Sequence, residues 1–410
     1  MNVNIKFPFG KITGTVGLPA SKSISNRVLM INALTDSDTE IQNIAVCDDT
    51  DSMQSVLQSS GNRFDVGHAG TAMRFLTAYL SRIVGQWEIT GSERMKQRPI
   101  GVLVDALNKL GAKIEYIEQQ GYPPLRIHGA FLSGGSLEIE ASVSSQYISA
   151  LMMIAPYMLN GLKIVLAGKV VSRTYLDMTI QIMQEFGAEV EIAEQTITIA
   201  PKPYHPVPYK VEADWSAASY FYELLAVCGG GEIHLPGLKQ ESTQGDAGQV
   251  AVWKELGVHT RFEKEGVVIT FVPSELCCLE YDFVKMPDLV QSFAVACCLR
   301  GIPFVFSGVE TLRIKETDRI AALINELAKS GFKLKAVGDG QLVWDGERCE
   351  AVYSPEIATY HDHRMAMAFA PVALKFPGLK IQDCGVVTKS FPDYWEQLQK
   401  LGAVMENKNI

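Results

Sequence analysis

The chain has 410 residues, of which 47% are hydrophobic and 20% are charged, and its formal net charge is -9. Because one hydrophobic core usually splits beyond roughly 250 to 300 residues, this length predicts two globular domains. The acidic balance disfavours a protein that binds nucleic-acid backbones.

Three further features bear on location and covalent chemistry. The longest uncharged apolar stretch, residues 147–162, contains Pro156 and Gly161, so it does not predict a membrane span. Residues 1–6 lack the apolar core of a signal peptide, which predicts a cytoplasmic protein. The 8 cysteines show no CxxC spacing, which favours reduced thiols over disulfides or a zinc site.

A repeated pattern runs along the chain, in which a helical stretch ends in a glycine followed by a strand-like stretch. Glycine just past a helix end supplies the left-handed residue of the cap. The six glycines are Gly61, Gly111, Gly187, Gly257, Gly331 and Gly402. They are separated by 50, 76, 70, 74 and 71 residues, so the period is near seventy with one short interval. The short interval predicts that the first unit has lost a hairpin.

A second polar helix entrance lies 39 to 43 residues before each of these glycines. The six entrances are Lys22, Gly70, Ser145, Ser216, Asp288 and His363. Two helices with strands between them predict a βαβαββ unit and an α/β fold. Because helix N-termini favour anions, entrances gathered on one side of the repeat would form an anion-binding surface.

The proline-rich segment 200–208 falls between the third and fourth units and is the best candidate for a linker. Three units lie on each side of it. The sequence therefore predicts two similar domains with a cleft between them.

The most charged entrance is the segment 313–319, which places three cations and two carboxylates just before a helical pattern. Glu316 and Arg319 form an i,i+3 pair, and Thr317 or Asp318 can cap the helix. Alone, this segment would favour a solvated, capped helix start with a surface ion pair over a site.

Basic residues occupy the same point of several repeated units in this acidic chain: Lys22, Arg27, Arg98, Lys315, Arg319, Arg364 and Lys389. A ring of such cations would bind one or two small, multiply charged anions through carboxylate or phosphate oxygens. Glu316 and Asp288 would then be available for proton transfer.

Seven motifs of the chain resemble those of the 5-enolpyruvylshikimate-3-phosphate synthase (EPSP synthase) family of enolpyruvyl transferases. They are residues 21–27, 69–74, 98–99, 144–146, 315–319, 362–367 and 389–394. This family joins phosphoenolpyruvate to shikimate 3-phosphate and releases phosphate in the shikimate pathway. Phosphoenolpyruvate mimics such as glyphosate are expected to bind after the first substrate.

The resemblance implies an α/β (α+β) fold of two domains, each with three βαβαββ units around a pseudo-threefold axis and an active site in the interdomain cleft. The implied boundaries are residues 1–18 with 213–410 for a discontinuous domain and 19–212 for an inserted one. The resemblance further implies a monomer with two small-molecule substrates, no nucleic-acid or membrane partner, and no metal or organic cofactor.

The resemblance also implies site residues. Shikimate 3-phosphate would be held by Lys22, Ser23, Arg27, Ser144, Ser145, Gln146, Ser172, Tyr175, Asp288 and Lys315. Phosphoenolpyruvate would be held by Lys22, Gly70, Arg98, Gln146, Arg319, Arg364 and Lys389. In the implied addition and elimination, Asp288 accepts the proton of the 5-hydroxyl group. Glu316 protonates C3 and later removes that proton, and Lys22 is a further candidate for proton transfer.

The chain departs from the family at several positions. The family often has Asn where this chain has His68, Thr311 and His361, so those side-chain contacts do not carry over. Phe75 stands where close relatives frequently have Pro.

Three other functions are alternatives to the one that the resemblance implies. A sister transferase acting on UDP-N-acetylglucosamine usually has a reactive Cys before its Arg-Pro, but residues 92–97 contain none. A non-catalytic anion-binding repeat protein would not need both Asp288 and Glu316. A metal hydrolase built on His361 and His363 lacks a second ligand cluster in the sequence.

Overall fold

The computed structural model describes residues 1–7, 10–35, 37, 39–140, 144–168, 170 and 172–408. The chain divides into two compact units, which we call the discontinuous unit (residues 1–19 and 212–410) and the inserted unit (residues 20–211). The boundaries inferred from the sequence differ from these by one residue at each junction. No helix among the described residues is both long and apolar enough to cross a membrane.

The α-helices of the described residues are α1 (Lys22–Leu34), α2 (Asp48–Leu57), α3 (Gly70–Arg82), α4 (Glu93–Lys96), α5 (Gly101–Lys109), α6 (Ser145–Ile154), α7 (Arg173–Glu185), α8 (Trp215–Cys228), α9 (Gln249–Glu255), α10 (Val290–Arg300), α11 (Arg319–Lys329), α12 (His363–Phe369) and α13 (Tyr394–Lys400).

The strands are β1 (Asn2–Lys6), β2 (Ile12–Thr15), β3 (Ile41–Gln42), β4 (Arg63–Asp65), β5 (Gly85–Thr90), β6 (Lys113–Tyr116), β7 (Leu125–Gly129), β8 (Gly135–Glu140), β9 (Leu162–Ala167), β10 (Val190–Ala193), β11 (Thr196–Ile199), β12 (Tyr209–Lys210), β13 (Gly231–Pro236), β14 (Val258–Glu263), β15 (Gly266–Phe271), β16 (Leu279–Asp282), β17 (Phe304–Ser307), β18 (Lys335–Val337), β19 (Gln341–Trp344), β20 (Glu356–Ile357), β21 (Leu379–Ile381) and β22 (Val404–Lys408).

The described strands form five sheets of four strands and one of two strands. In the inserted unit the orders are β4-β5-β7-β6 and β10-β11-β9-β8, and β12 pairs with β3. In the discontinuous unit they are β14-β15-β13-β2, β16-β17-β19-β18 and β20-β21-β1-β22. Each four-stranded sheet has one parallel pair and two antiparallel pairs, which confirms the predicted repeat of βαβαββ units.

The two-stranded sheet belongs to the first repeated unit. Strand β3 follows α1 and pairs in parallel with β12, which comes from the far end of the inserted unit, with Ile41 opposite Tyr209. Strand β4, which follows α2 along the chain, already belongs to the next four-stranded sheet. This arrangement agrees with the short first interval between the repeated glycines.

Five of the six repeated glycines have a left-handed backbone, with φ of 107° at Gly111 and 96° at Gly402, for example. The prediction is wrong for Gly61, which lies outside the left-handed region. Helix α2 ends earlier, at Leu57, and its cap Gln58 keeps a right-handed conformation with φ of -93°. The chain therefore leaves this helix three residues before the glycine.

Three helices form the centre of each unit. In the inserted unit α1, α3 and α6 contact one another, and in the discontinuous unit α8, α10 and α12 do so. Helices α8 and α10 are buried over most of their length, which is typical of helices that are apolar on all sides. These central helices begin at or next to the six polar entrances identified in the sequence, so the entrances belong to the packed core of each unit.

Candidate active site

The charged residues of the discontinuous unit meet at Arg319, the first residue of α11. Its guanidinium group lies 2.7 Å from Asp362 Oδ2, 3.0 Å from Asp288 Oδ1 and 2.9 Å from Glu316 Oε2. Its side chain is only 2% exposed. Asp318 caps the helix by accepting a hydrogen bond from Ala321 N at 3.0 Å. This cap fixes the start of α11 and therefore the backbone position of Arg319.

Asp288 lies in the short turn that precedes α10. Its Oδ1 accepts a hydrogen bond from Arg319 Nη1, and its Oδ2 accepts one from Arg364 Nη2 at 3.0 Å. Lys315 Nζ is 3.8 Å from the same carboxylate. Three cations, two from the entrance to α11 and one from α12, therefore surround a single acid.

Glu316 is held between two cations. Lys389 Nζ donates to Oε1 at 2.8 Å, and Arg319 donates to Oε2 at 2.9 Å. Lys389 itself is only 6% exposed and lies at the end of the turn Cys384–Lys389. The predicted i,i+3 pair of Glu316 and Arg319 is present, but Arg319 is buried and Glu316 is partly buried, so it is not a solvated surface pair.

The electrostatic consequences follow from burial and these contacts. Burial opposes the charge on Asp288, but Arg364, Lys315 and Arg319 outweigh it and hold the pKa of that carboxyl well below its usual range. Burial lowers the pKa of Lys315, although Asp288 opposes the shift. For Arg319, burial is outweighed by Asp362, Glu316 and Asp288, which raise its pKa. Asp288 and Arg319 are therefore both ionised at neutral pH.

Two residues of this cluster were missed as site residues. Asp362 was noted only as part of a motif, yet it binds Arg319 and caps α12 by accepting from Arg364 N at 2.9 Å. The hydroxyl group of Tyr220 on α8 lies 3.4 Å from Arg364 Nη1. The position of Asp362 just before a helical pattern was an available signal, whereas Tyr220 lies inside an apolar helix and gave none.

In the inserted unit, the start of α1 supplies Lys22 and Arg27. Lys22 Nζ lies 3.2 Å from Asp49 Oδ2, and Asp49 is only 2% exposed. Arg27 is 3% exposed, and burial lowers its pKa to about 10.

Arg27 is held mainly by uncharged oxygens. Its Nε donates to Thr179 Oγ1 at 2.7 Å, and its Nη1 donates to the carbonyl group of Ser23 at 2.8 Å. Its Nη2 donates to the carbonyl group of Tyr175 at 3.2 Å. The guanidinium also lies 5.4 Å from the ring centre of Phe75, the residue that stands in place of a frequent Pro.

Gly70 begins α3 and leaves room for Arg98. A Cβ atom added at Gly70 would lie 2.5 Å from Arg98 Nη1, so a side chain at this position would displace the arginine. Arg98 is 9% exposed. The structure thus brings together Gly70 and Arg98, two of the four residues of the inserted unit that were predicted to hold phosphoenolpyruvate.

The remaining predicted residues lie at the starts of α6 and α7. Ser144 caps α6 by accepting from Gln146 N at 3.3 Å, and Gln146 Nε2 donates to Thr71 Oγ1 at 3.2 Å. Ser172 precedes α7 in a left-handed conformation with φ of 55°, a strained state for this residue type. The ring of Tyr175, one turn later, lies 5.9 Å from the Arg27 guanidinium carbon.

The two histidines of the metal-hydrolase alternative have different surroundings. His361 Nδ1 lies 2.8 Å from Asp383 Oδ2 at the surface, whereas His363 is 1% exposed. No group of three or more His, Cys, Asp or Glu side chains suited to a metal occurs among the described residues.

Known proteins similar to this chain were found by sequence and by structure. The sequence profile described as EPSP synthase (3-phosphoshikimate 1-carboxyvinyltransferase) matches residues 8–64 and 57–398. A 3-phosphoshikimate 1-carboxyvinyltransferase of Bacteroides fragilis (strain YCH46) is 49% identical over 393 residues, which cover 96% of each chain. One of Pectobacterium carotovorum subsp. carotovorum (strain PC1) is 37% identical and covers 96% of this chain and 97% of its own.

A solved structure of EPSP synthase from Acinetobacter baumannii has the same fold. It aligns with a TM-score of 0.78 over 99% of this chain and 100% of its own, at 20% sequence identity. The fold class predicted from the sequence is confirmed by this likeness and by the repeated sheets.

Proposed function

Because the chain belongs to the EPSP synthase family, we propose which of its residues bind and transform the substrates of this reaction. The enzyme transfers the enolpyruvyl group of phosphoenolpyruvate to the 5-hydroxyl group of shikimate 3-phosphate and releases phosphate, as a 3-phosphoshikimate 1-carboxyvinyltransferase of the shikimate pathway does. Both substrates are small anions, and the buried cations of both units suit them.

Shikimate 3-phosphate is bound mainly by the inserted unit. The starts of α1, α6 and α7 supply hydroxyl, amide and cationic donors, and helix N-termini add backbone N–H groups that favour a phosphate. The residues are Lys22, Ser23, Arg27, Ser144, Ser145, Gln146, Ser172 and Tyr175, with Asp288 and Lys315 from the discontinuous unit. The support is that Arg27 contacts both Ser23 and Tyr175, and that Gln146 contacts Thr71 at the start of α3.

Phosphoenolpyruvate is bound by cations of both units. The cations are Lys22, Arg98, Arg319, Arg364 and Lys389. Arg98 lies beside Gly70, which also belongs to this set, and Gln146 adds an uncharged donor. Arginine forks bind carboxylate and phosphate oxygens in pairs, which orients the substrate. A negative charge also enters a set of cations that is already desolvated, so the attraction is stronger than at an exposed surface.

The chemistry is addition followed by elimination. The 5-hydroxyl oxygen forms a bond to C2 as its proton passes to Asp288, and C3 receives a proton from Glu316. The tetrahedral intermediate then expels phosphate while Glu316 takes a proton back from C3. Lys22 is a further candidate in proton transfer, and the cations stabilise the negative charge on the phosphate as it leaves.

A single observation carries these roles: Glu316 lies between Lys389 and Arg319, and Arg319 also binds Asp288. In the free enzyme this pairing places one cation against each carboxylate oxygen of Glu316 and helps to hold the pKa of Asp288 well below its usual range. Arrival of the anionic substrate draws the cations toward itself and raises the proton affinity of Glu316, so that the group can act as an acid.

The variant Glu316→Gln tests this assignment. We expect it to bind both substrates with dissociation constants close to those of the wild type while kcat falls about 10²- to 10⁴-fold, the usual contribution of one acid–base group. The control is Glu347→Gln, which removes a surface carboxylate that is also paired with two lysines, Lys333 and Lys335. If Glu316→Gln turns over as fast as the wild type, Glu316 does not take part in proton transfer.

We further propose that the enzyme acts as a monomer in the cytoplasm. The 8 cysteines of the chain are all free in the structure, which supports a reducing location such as the cytoplasm. Sedimentation of the purified protein at two concentrations distinguishes a monomer from a dimer.

A further inference from the structure

One of the six helix entrances is not used by the proposed roles: the start of α8, with Ser216 as its second residue. This serine donates a short hydrogen bond from Oγ to Oδ2 of Asp246, in the turn Gly245–Gly248 that precedes α9. Asp246 is only 5% exposed. The fourth entrance thus holds a buried carboxyl that neither substrate is proposed to touch.

Helix α8 contacts both the turn Pro287–Leu289, which holds Asp288, and the turn that holds Asp246. A Cβ atom added at Gly248, in the same turn, would lie 3.4 Å from the sulfur of Met286, two residues before Asp288. The groups that act on Asp246 are Ser216 and Asp214 from α8, Asp288 from the turn before α10, and Arg364 from α12. Burial and the negative charge of Asp288 raise the pKa of Asp246 to about 7. Asp288 is ionised under the same conditions, so the two acids are in different states near neutral pH.

We propose that Asp246, held by the Ser216 hydroxyl, is a positioning residue that sets the proton affinity of Asp288. This inference rests on the proposed role of Asp288 as acceptor of the 5-hydroxyl proton. Three cations surround Asp288 and weaken it as a base. A negative charge on Asp246 offsets part of that field, so Asp288 takes the proton more readily as the bond from the 5-hydroxyl oxygen to C2 forms.

The sign of the effect follows from the charges. Below neutral pH, Asp246 is protonated and leaves the cations unopposed, so proton transfer to Asp288 is slow. As the pH rises and Asp246 loses its proton, Asp288 becomes a stronger base and kcat increases. A neutral residue at position 246 would remove this increase and leave the rate at its lower value.

The experiment measures kcat at saturating substrates between about pH 5.5 and pH 9 for the whole enzyme. For the wild type we expect an inflection near the pKa of about 7. Asp246→Asn should lack that inflection and should be about tenfold slower at pH 8, equivalent to one unit of proton affinity at Asp288.

Ser216→Ala provides a second, independent readout. Loss of its hydrogen bond to the ionised carboxylate should move the inflection upward by about one pH unit while leaving KM little changed. Ser219→Ala is the matched control, because this buried hydroxyl of α8 donates to the carbonyl group of Ser216 and not to Asp246. Its inflection should stay at the wild-type pH. A purely structural role for the pair would lower activity without moving the inflection.

Two results would overturn the inference: a wild-type inflection in Asp246→Asn, or an unmoved inflection in Ser216→Ala. If Asp246→Asn does not fold, the shift in Ser216→Ala still decides. Asp288→Asn tests the role of Asp288 as the base separately from the effect of Asp246 on it. If Asp288→Asn is active, Asp288 is not the base. If Asp288→Asn is inactive and the pH profile of kcat in Asp246→Asn is that of the wild type, only the inference about Asp246 is wrong.

Discussion

The two units hold their arginines in different surroundings. Arg27 of the inserted unit donates to the hydroxyl group of Thr179 and to carbonyl groups of the backbone. Arg319 of the discontinuous unit contacts three carboxylates, those of Asp288, Glu316 and Asp362. Both arginines are almost completely buried.

Under the proposed roles, this difference assigns substrate binding mainly to the inserted unit and proton transfer to the discontinuous unit. A guanidinium held by neutral oxygens keeps an unbalanced charge, which attracts a phosphate and offers it no competing acid. A guanidinium among carboxylates fixes the ionisation of those acids and changes it when a substrate anion arrives. We therefore expect variants of the inserted unit to affect affinity, and variants of the discontinuous unit to affect turnover and pH dependence.

The largest effect on stability is expected where the carboxylates lose their partner. Arg319→Met leaves the buried Asp362 and the partly buried Asp288 and Glu316 without their shared cation and should lower the free energy of unfolding by about 3–5 kcal/mol. Arg27→Met leaves hydroxyl and carbonyl groups and should cost only about 1–3 kcal/mol. Urea denaturation of both variants measures the two values. Equal losses would show that the surroundings of the two arginines do not differ in the way described.

A smaller effect, on affinity alone, is expected in the inserted unit. In Gly70→Ala the new methyl group collides with the end of Arg98, a flexible side chain, so the arginine moves and the helix does not. We expect KM for phosphoenolpyruvate to rise about tenfold, as the loss of roughly one charged hydrogen bond implies, with little change in thermal stability.

The control for this variant is Gly101→Ala. That glycine also begins a helix, but an added Cβ would meet its nearest neighbour at 3.4 Å, an ordinary contact. Steady-state kinetics with each substrate varied in turn compares the two. A KM for phosphoenolpyruvate unaffected by Gly70→Ala would show that Arg98 does not bind this substrate.

The smallest effect concerns stability and pH. The raised pKa of Asp246, about 7, means that the folded protein binds this proton more tightly than the unfolded chain. The stability it contributes is complete below the unfolded value of about 4 and is lost as the pH rises through 7. Asp246→Asn removes this loss, so its melting temperature relative to wild type should be higher at pH 8 than at pH 5. A difference independent of pH would contradict this.

Much of the fold was predictable because it repeats. The spacing of glycines such as Gly187 and Gly257 reflects a physical need, a left-handed residue at a helix end, and five of the six have it. Gly61 lacks it, because α2 ends earlier, at Leu57. A glycine in sequence marks a permitted left-handed position but does not require one.

The charged motifs were predictable as a set, but their pairing was not. The sequence placed Glu316 and Arg319 at the same helix start, since residues three apart on a helix are neighbours. It gave no means of knowing that Asp362, 43 residues further on, shares that arginine. Long-range pairing depends on how helices pack, and so Asp362 and Tyr220 were not recognised as parts of the cluster.

The measurement that tests the central claim most directly is the release of inorganic phosphate by the wild-type enzyme. Purified protein is given phosphoenolpyruvate alone, shikimate 3-phosphate alone, both together, or phosphoenolpyruvate with UDP-N-acetylglucosamine. Because cations of both units are assigned to two different anions, we expect phosphate only when phosphoenolpyruvate and shikimate 3-phosphate are both present. Phosphate release with UDP-N-acetylglucosamine, or with phosphoenolpyruvate alone, would contradict that assignment.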